Sequence, residues 1–201
     1  MEVCIQEGLG FVKLMGVKLP QKFNKITVIL ALVKANFMMR KVNKGALWNY
    51  RKASDPLKIA VVKIINILVT YCFQMRQMDM MATLVLVNTT LILRHGFTDE
   101  AGSILSAFGM ILAWTGDFSK GYAIGEIAVE IVKDTKVGIP RTFTNYYGGL
   151  DHLKKPLHQS LEPLLHAYRT GFEVGDTVYG FYCCTFTYLS SIMWVYHWII
   201  C

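Results

Sequence analysis

FTDEAGSILSAFGMILAWTGDFSKGYAIGEIAVEIV, residues 97–132, decides the fold of this chain. Thr98 offers a hydroxyl to uncapped backbone N–H groups, and Asp99 and Glu100 put negative charge at the positive end of a helix dipole, so a helix opens here. Ala101, Leu105, Phe108 and Leu112 then recur at helical spacing. The break Thr115-Gly116-Asp117-Phe118 ends it, because Gly116 suits a left-handed cap and Asp117 can cap the next helix. Two antiparallel helices joined by a very short turn are expected. Gly121, Gly125 and Ala128 lie along one side of the second, where missing side chains let the neighbouring helix come close.

Outward from this pair the chain reads as more helices. Residues 2–15 form a short one ending at Gly16, and Pro20 stops any continuation. From Lys22 to Arg40, Phe23, Ile26, Leu30, Val33 and Phe37 repeat at three and four residues, which predicts an amphipathic helix with lysines opposite the buried face. Residues 41–54 are a polar connection containing Trp48 and Tyr50. Ser54-Asp55-Pro56 starts a helix running to about Phe73, with Asp55 as cap and Pro56 in the first turn. Another helix, Asp79 to His95, stops at Gly96. Residues 139–150, ended by Gly148-Gly149, form a less regular helix. Pro156 starts a further one with Leu157, Leu161, Leu164, Leu165, Tyr168 and Phe172 on its apolar side. Gly175-Asp176 repeats the Gly116-Asp117 break, and a last helix begins at Thr177.

The apolar composition has two explanations, an all-helical interior packed on several sides or a membrane segment. The chain has 201 residues, 53% of them hydrophobic, and a net charge of +7. Residues 13–63 hold twelve of the twenty-one Lys and Arg and one acid, Asp55. Lys13, Lys18, Lys22, Lys25 and Lys34 are scattered among apolar residues without interleaved aromatics, so they read as a solvated positive face and no nucleic-acid partner is expected. Cys4, Cys72, Cys183, Cys184 and Cys201 are odd in number and lack CxxC spacing, which disfavours a disulfide framework or zinc site. Glu2 and Glu7 stand where a secretory leader would be basic, so none is expected and the location is read as cytoplasmic. Asn88-Thr89-Thr90 matches a glycosylation acceptor pattern but falls inside an apolar helix and reads as chance.

Placing Gly116 on the turn glycine of a tetratricopeptide repeat puts Gly109, Phe118 and Ala128 on that repeat's small, aromatic and small positions, with Gly121 where alanine is usual. Ala167 follows Ala128 by 39 residues and the Gly-Asp breaks recur after 59, against a standard period of about 34. The expectation is an all-α, TPR-like array of antiparallel helix pairs, about eight or nine helices in a right-handed superhelical solenoid. It treats residues 1–201 as a single region in which each pair buries its open face on the next.

Leu14-Met15-Gly16-Val17-Lys18-Leu19-Pro20, Ser54-Asp55-Pro56, Arg94-His95-Gly96, Gly116-Asp117-Phe118-Ser119-Lys120-Gly121-Tyr122 and the run from Ala167 to Asp176 carry a resemblance. The chain resembles, in the same order and over roughly its whole length, the helical-repeat region of large multidomain signalling proteins. In that family a protein-kinase-like domain and a signal-transducing AAA-type NTPase module precede the repeats, and a GAF domain with a histidine kinase often follows. The chain has no GxxxxGK[ST] loop, no HRD or DFG set and no histidine-kinase segment, so the family's catalytic functions do not transfer. It reads as an internal slice of such a protein.

No residue set here reads as catalytic, cofactor-binding or metal-binding. His95, His152, His158, His166 and His197 show no i, i+4 pair, and His158 and His166 are eight apart on one expected helix. Asp99 with Glu100, and Glu126 with Glu130 and Asp134, fit solvated helix faces. Gly116, Asp117, Gly121, Gly125, Gly175 and Asp176 are singled out instead, as turn and close-packing residues. The resemblance implies a non-catalytic scaffold that binds protein partners or neighbouring domains. Two alternatives stand beside it: a non-catalytic part of an NTP-dependent enzyme, and a membrane-anchored protein. The second rests on the apolar terminal helix 177–201, twenty-five residues without Asp, Glu, Lys or Arg and long enough to span a bilayer.

Overall fold

The computed structural model describes residues 2–40 and 50–200, with side chains to residue 193. Trp48 and Cys201, and the side chain of His197, lie outside that description. The described residues form nine α-helices: α1 (Glu2–Leu14), α2 (Lys25–Arg40), α3 (Pro56–Gln74), α4 (Met78–His95), α5 (Ala101–Trp114), α6 (Phe118–Ile131), α7 (Ile139–Gly149), α8 (Leu161–Val174) and α9 (Thr177–Ile200). No strand occurs among them, only an isolated bridge between Lys52 and Phe97. The all-α class is therefore observed. The chain divides into two compact units, Met1–Glu100 and Ala101–Cys201.

In the first unit α1 packs on α3, α3 on α4, and α4 on α2. Ile5, Leu9 and Val12 of α1 and Val61, Ile65, Leu68 and Cys72 of α3 are buried. Asp55 caps α3 as its spacing predicts, accepting from Leu57 N at 2.9 Å. The segment before that cap is tied to the end of α4: Phe97 N donates to Arg51 O and Ala53 N to Phe97 O, both at 2.8 Å. Tyr50 adds a hydroxyl donated to Leu93 O at 2.5 Å and a ring 4.7 Å from that of Phe97. A Cβ at Gly96 would lie 2.7 Å from Ala53 N, and its φ is +110°, so glycine alone lets the two segments meet.

The α2 face expected to be buried is the one left open. Ile26, Leu30 and Val33 are 67%, 65% and 63% exposed, and Phe37 is exposed as well. The helix instead buries Ala35 and Met39, half-buries Val28, Ala31 and Leu32, and packs on α4. The reason lies in its composition: α2 is apolar on nearly every side, so periodicity could not choose which stripe faces the core.

In the second unit α5 and α6 are an antiparallel pair whose backbones nearly touch. A Cβ at Gly121 would sit 2.5 Å from Gly109 O, and one at Gly109 would sit 2.7 Å from Gly121 O. Further along, Gly102 lies against Val132 and Ala128 O. The α7 helix covers the other side of this seam, where a Cβ at Gly125 would meet Tyr146 at 2.6 Å and Leu150 at 2.8 Å. Helices α8 and α9 form a second antiparallel pair, both packed on α7, around a core of Val132, Ile139, Leu164, Ala167 and Cys183. Their contact is again between glycines: a Cβ at Gly171 would lie 2.8 Å from Gly180 Cα.

Two helix boundaries differ from expectation. Pro156 is extended (ψ 138°) and starts no α-helix; a 3-10 turn, Leu157–Ser160, intervenes before α8. His158 and His166 are thus on different elements. Gly148 and Gly149 belong to the last turn of α7, against Phe186 and Met110, where small size rather than chain breaking accounts for them.

The ends of α1, α3 and α5 follow one design. After α5, Asp117 N donates to Leu112 O and Gly116 N to Ala113 O, with Gly116 at φ +98°. After α1 the same bonds form around Gly16, and after α3 around Arg76, which takes φ +56° although it is not glycine. These are Schellman caps that satisfy the last carbonyls of each helix. An L-residue in the left-handed region is strained, so Arg76→Gly should raise stability by about 1 kcal/mol in urea unfolding. Gly121→Ala should lower it by about 1–3 kcal/mol, as should the larger Gly125→Leu, because helix backbone or packed rings must move. Gly10→Ala on α1, with nothing within 4 Å of the new methyl, should by contrast be stabilising by about 0.5–1 kcal/mol.

Candidate functional site

The turn residues singled out in the sequence take different roles. Gly116 and Gly175 both adopt left-handed φ, +98° and +78°. Asp117 caps α6, accepting from Lys120 N at 3.3 Å. Asp176 instead pairs with Arg141 of α7 at 2.7 Å, both side chains mostly buried, so the second Gly-Asp break ties its hairpin to α7. Gly121 and Gly125 lie in the α5–α6–α7 seam.

The carboxylates follow helix faces. Glu126 and Asp134 are exposed, and Glu130 pairs with Lys133. Glu100 accepts from Asn66 Nδ2 at 2.5 Å, and Glu100 N donates to Thr98 Oγ1 at 3.3 Å. Asn88 is buried and donates to Val62 O at 3.1 Å, placing the acceptor pattern inside the core. Among the described residues no three His, Cys, Asp or Glu are grouped as metal ligands would be.

One buried acid has no sequence signal. Asp151, almost fully buried in the connection after α7, accepts from Ser160 Oγ at 3.0 Å and lies 3.2 Å from Lys155 Nζ. Lys154 Nζ lies 4.3 Å from the Tyr122 ring centre. Asp151 sits in a polar run, Asp-His-Leu-Lys-Lys, that carries no periodicity. Its partners hold the α7–α8 connection in place, and a buried carboxylate needs such partners.

Among the described residues, α2 and α9 each expose a face with several large apolar side chains. On α2 these are Ile26, Ile29, Leu30 and Val33, with the exposed Lys25 and Lys34 at their flanks. On α9 the face from Val178 through Phe181 (60% exposed), Tyr188 (66%) and Leu189 to Met193 carries no charge. The opposite side of α9 buries Gly180, Cys183 and Ser190. Among the described residues α3 is long and apolar enough to cross a bilayer, with mean hydropathy 1.7; 44% of that stretch is buried in the protein.

The first unit also gathers the scattered cations. A cavity of about 370 Å³ is lined by Lys18 from the linker after α1, Lys34 of α2, Lys58 in the first turn of α3, and Arg94 and His95 in the last turn of α4. Ala31, Leu86, Val87 and Leu91 supply its apolar wall, and no carboxylate is among its described lining residues. Arg51 donates to Arg94 O beside it. Burial, followed by the charges of Lys58 and Arg94, holds the His95 pKa below its usual 6.5; Asp55 pulls the other way and Arg51 reinforces the lowering. The basic excess of residues 13–63 is visible in the sequence but its convergence is not, since residues 18, 34, 58 and 94–95 share no local period.

No protein-family profile, curated protein or solved structure matches this chain.

His95 should titrate below 6.5 in an NMR pH series. The folded state holds that proton less tightly than the unfolded state, so this residue's effect is to lower stability as pH falls from 6.5 through its folded midpoint. Burial pushes the Cys72 and Cys183 thiols up to about 11, whereas Cys4 and Cys184 are exposed. Iodoacetamide at pH 8 should therefore alkylate Cys4 and Cys184 in the native protein and spare Cys72 and Cys183 until it unfolds, as peptide mass spectrometry would read.

Proposed function

We propose that the chain is a non-catalytic helical-repeat scaffold, a protein-interaction and regulatory segment of TPR-like helix pairs from a multidomain signal-transduction ATPase or kinase. The observation that carries this reading is the uncovered, uncharged face of α9. In a right-handed superhelical stack each helix pair covers the open face of the one before, and the last pair leaves such a face for a neighbour. The occupant matching it is an apolar helix pair of a neighbouring domain or protein, since a charged partner would lose hydration there without gaining a counter-charge.

Further support comes from the hairpin turns. The α3–α4 and α5–α6 pairs close on the same Schellman geometry at Arg76 and Gly116, 40 residues apart, close to the spacing of Ala128 and Ala167. The assignment to signalling proteins rests on the motif runs from Leu14 to Asp176, and the cytoplasmic location goes with it. The uncharged stretch 177–201 favours the membrane-anchored reading as the alternative.

Photo-crosslinking in the expressing cell separates these. With p-benzoylphenylalanine at Phe181 or Tyr188, a discrete polypeptide adduct in the soluble fraction is expected, and none with the crosslinker at the exposed Asp99. Lipid adducts in material resistant to alkaline carbonate, or no adduct, would overturn the scaffold reading. Clear ATP turnover by the purified chain would overturn the non-catalytic one.

A further inference from the structure

We infer that the basic cavity between the linker after α1 and helices α2, α3 and α4 binds the phosphate group of a phosphorylated ligand. Lys18, Lys34, Lys58, Arg94 and His95 reach it from four segments far apart in sequence. Cations that merely solvate a surface spread apart, because each raises the free energy of charging the next. Here the fold brings them together and supplies no lining carboxylate among the described residues. A bound anion of high charge density removes that repulsion.

Phosphate fits the donor set. Arginine offers a planar fork to two oxygens, and lysines act as point charges around the rest. The half-buried Lys58 and His95 are partly shielded from water, so their attraction for an anion is screened less than that of a fully exposed lysine. The volume, about 370 Å³, is in the range of small-ligand pockets. Its apolar wall of Ala31, Leu86, Val87 and Leu91 gives the non-phosphate part of a ligand a dry surface. That part comes either from a soluble phosphorylated compound or from a phospholipid, whose chains would meet the uncovered Ile26, Ile29, Leu30 and Val33 of α2. The phosphate chemistry is common to both.

Calorimetry with inorganic pyrophosphate and with ATP, and flotation with phosphatidylcholine vesicles with and without phosphatidic acid, test this on the whole chain. Saturable one-site binding is expected in at least one arm. Lys58→Gln and Arg94→Gln should each weaken it about tenfold or more, from the loss of a charge-assisted hydrogen bond. Lys34→Gln, at an exposed helix position that tolerates change, should weaken it too and guards against a folding defect in the other two. Lys63→Gln, exposed on α3 outside the cavity, should leave it unchanged. The His95 NMR midpoint should rise on saturation, since a bound anion favours the imidazolium. Pyrophosphate binding identifies a soluble ligand, and binding to phosphatidic acid vesicles alone identifies a lipid headgroup; either supports the inference. Failure of every probe to bind, or equal weakening by Lys63→Gln and Lys58→Gln, would overturn it.

Discussion

Backbone contact between α5 and α6 is the constraint on which the second unit depends. With Gly109 and Gly121 face to face, the helices approach until carbonyl oxygens fill the space that side chains would take. That proximity leaves a shallow groove over Gly125, and α7 fills it with Tyr146 and Leu150. Helix α7 in turn carries α8 and α9, through Ile139 and Phe143 and through the Arg141–Asp176 pair. Dispersion forces fall steeply with distance, so a seam this close gains contacts that larger residues would forfeit.

The first unit solves the same joining problem with other residues. Its α3–α4 turn places Arg76 where glycine stands in the later hairpin, and the helix-end hydrogen bonds form despite the strained φ. The carbonyls left over at a helix end are costly unless satisfied, which is why the geometry persists when the residue does not suit it. The extended segment from Tyr50 to Ala53, held against Gly96 and Phe97, then sets Lys58 beside Arg94 and His95. Cations separated by dozens of residues become neighbours through that tie.

Helix α2 shows the limit of periodicity. Its sequence offers two apolar stripes, one through Ile26, Leu30 and Val33 and one through Val28, Ala35 and Met39, and either could have been the buried one. Packing against α4 selects the stripe with the smaller residue, Ala35, at its centre, leaving the bulkier stripe outside. The α9 helix has no Asp, Glu, Lys or Arg on any side, and packing on α8 and α7 leaves part of its apolar surface exposed.

The sequence by itself determined the helical class, most helix ends, and the small residues of the α5–α6 pair, because caps, turns and glycines act through local backbone chemistry. Asp55, Asp117, Gly116 and Gly175 are legible for that reason. Tertiary structure alone decided which face of α2 is open, that Asp151 is buried with Ser160 and Lys155, and that Gly171 meets Gly180. It alone gathered Lys18, Lys34, Lys58, Arg94 and His95 around one cavity. Those outcomes depend on which helix lies against which, and no run of neighbouring residues encodes a relation between positions so far apart in the chain.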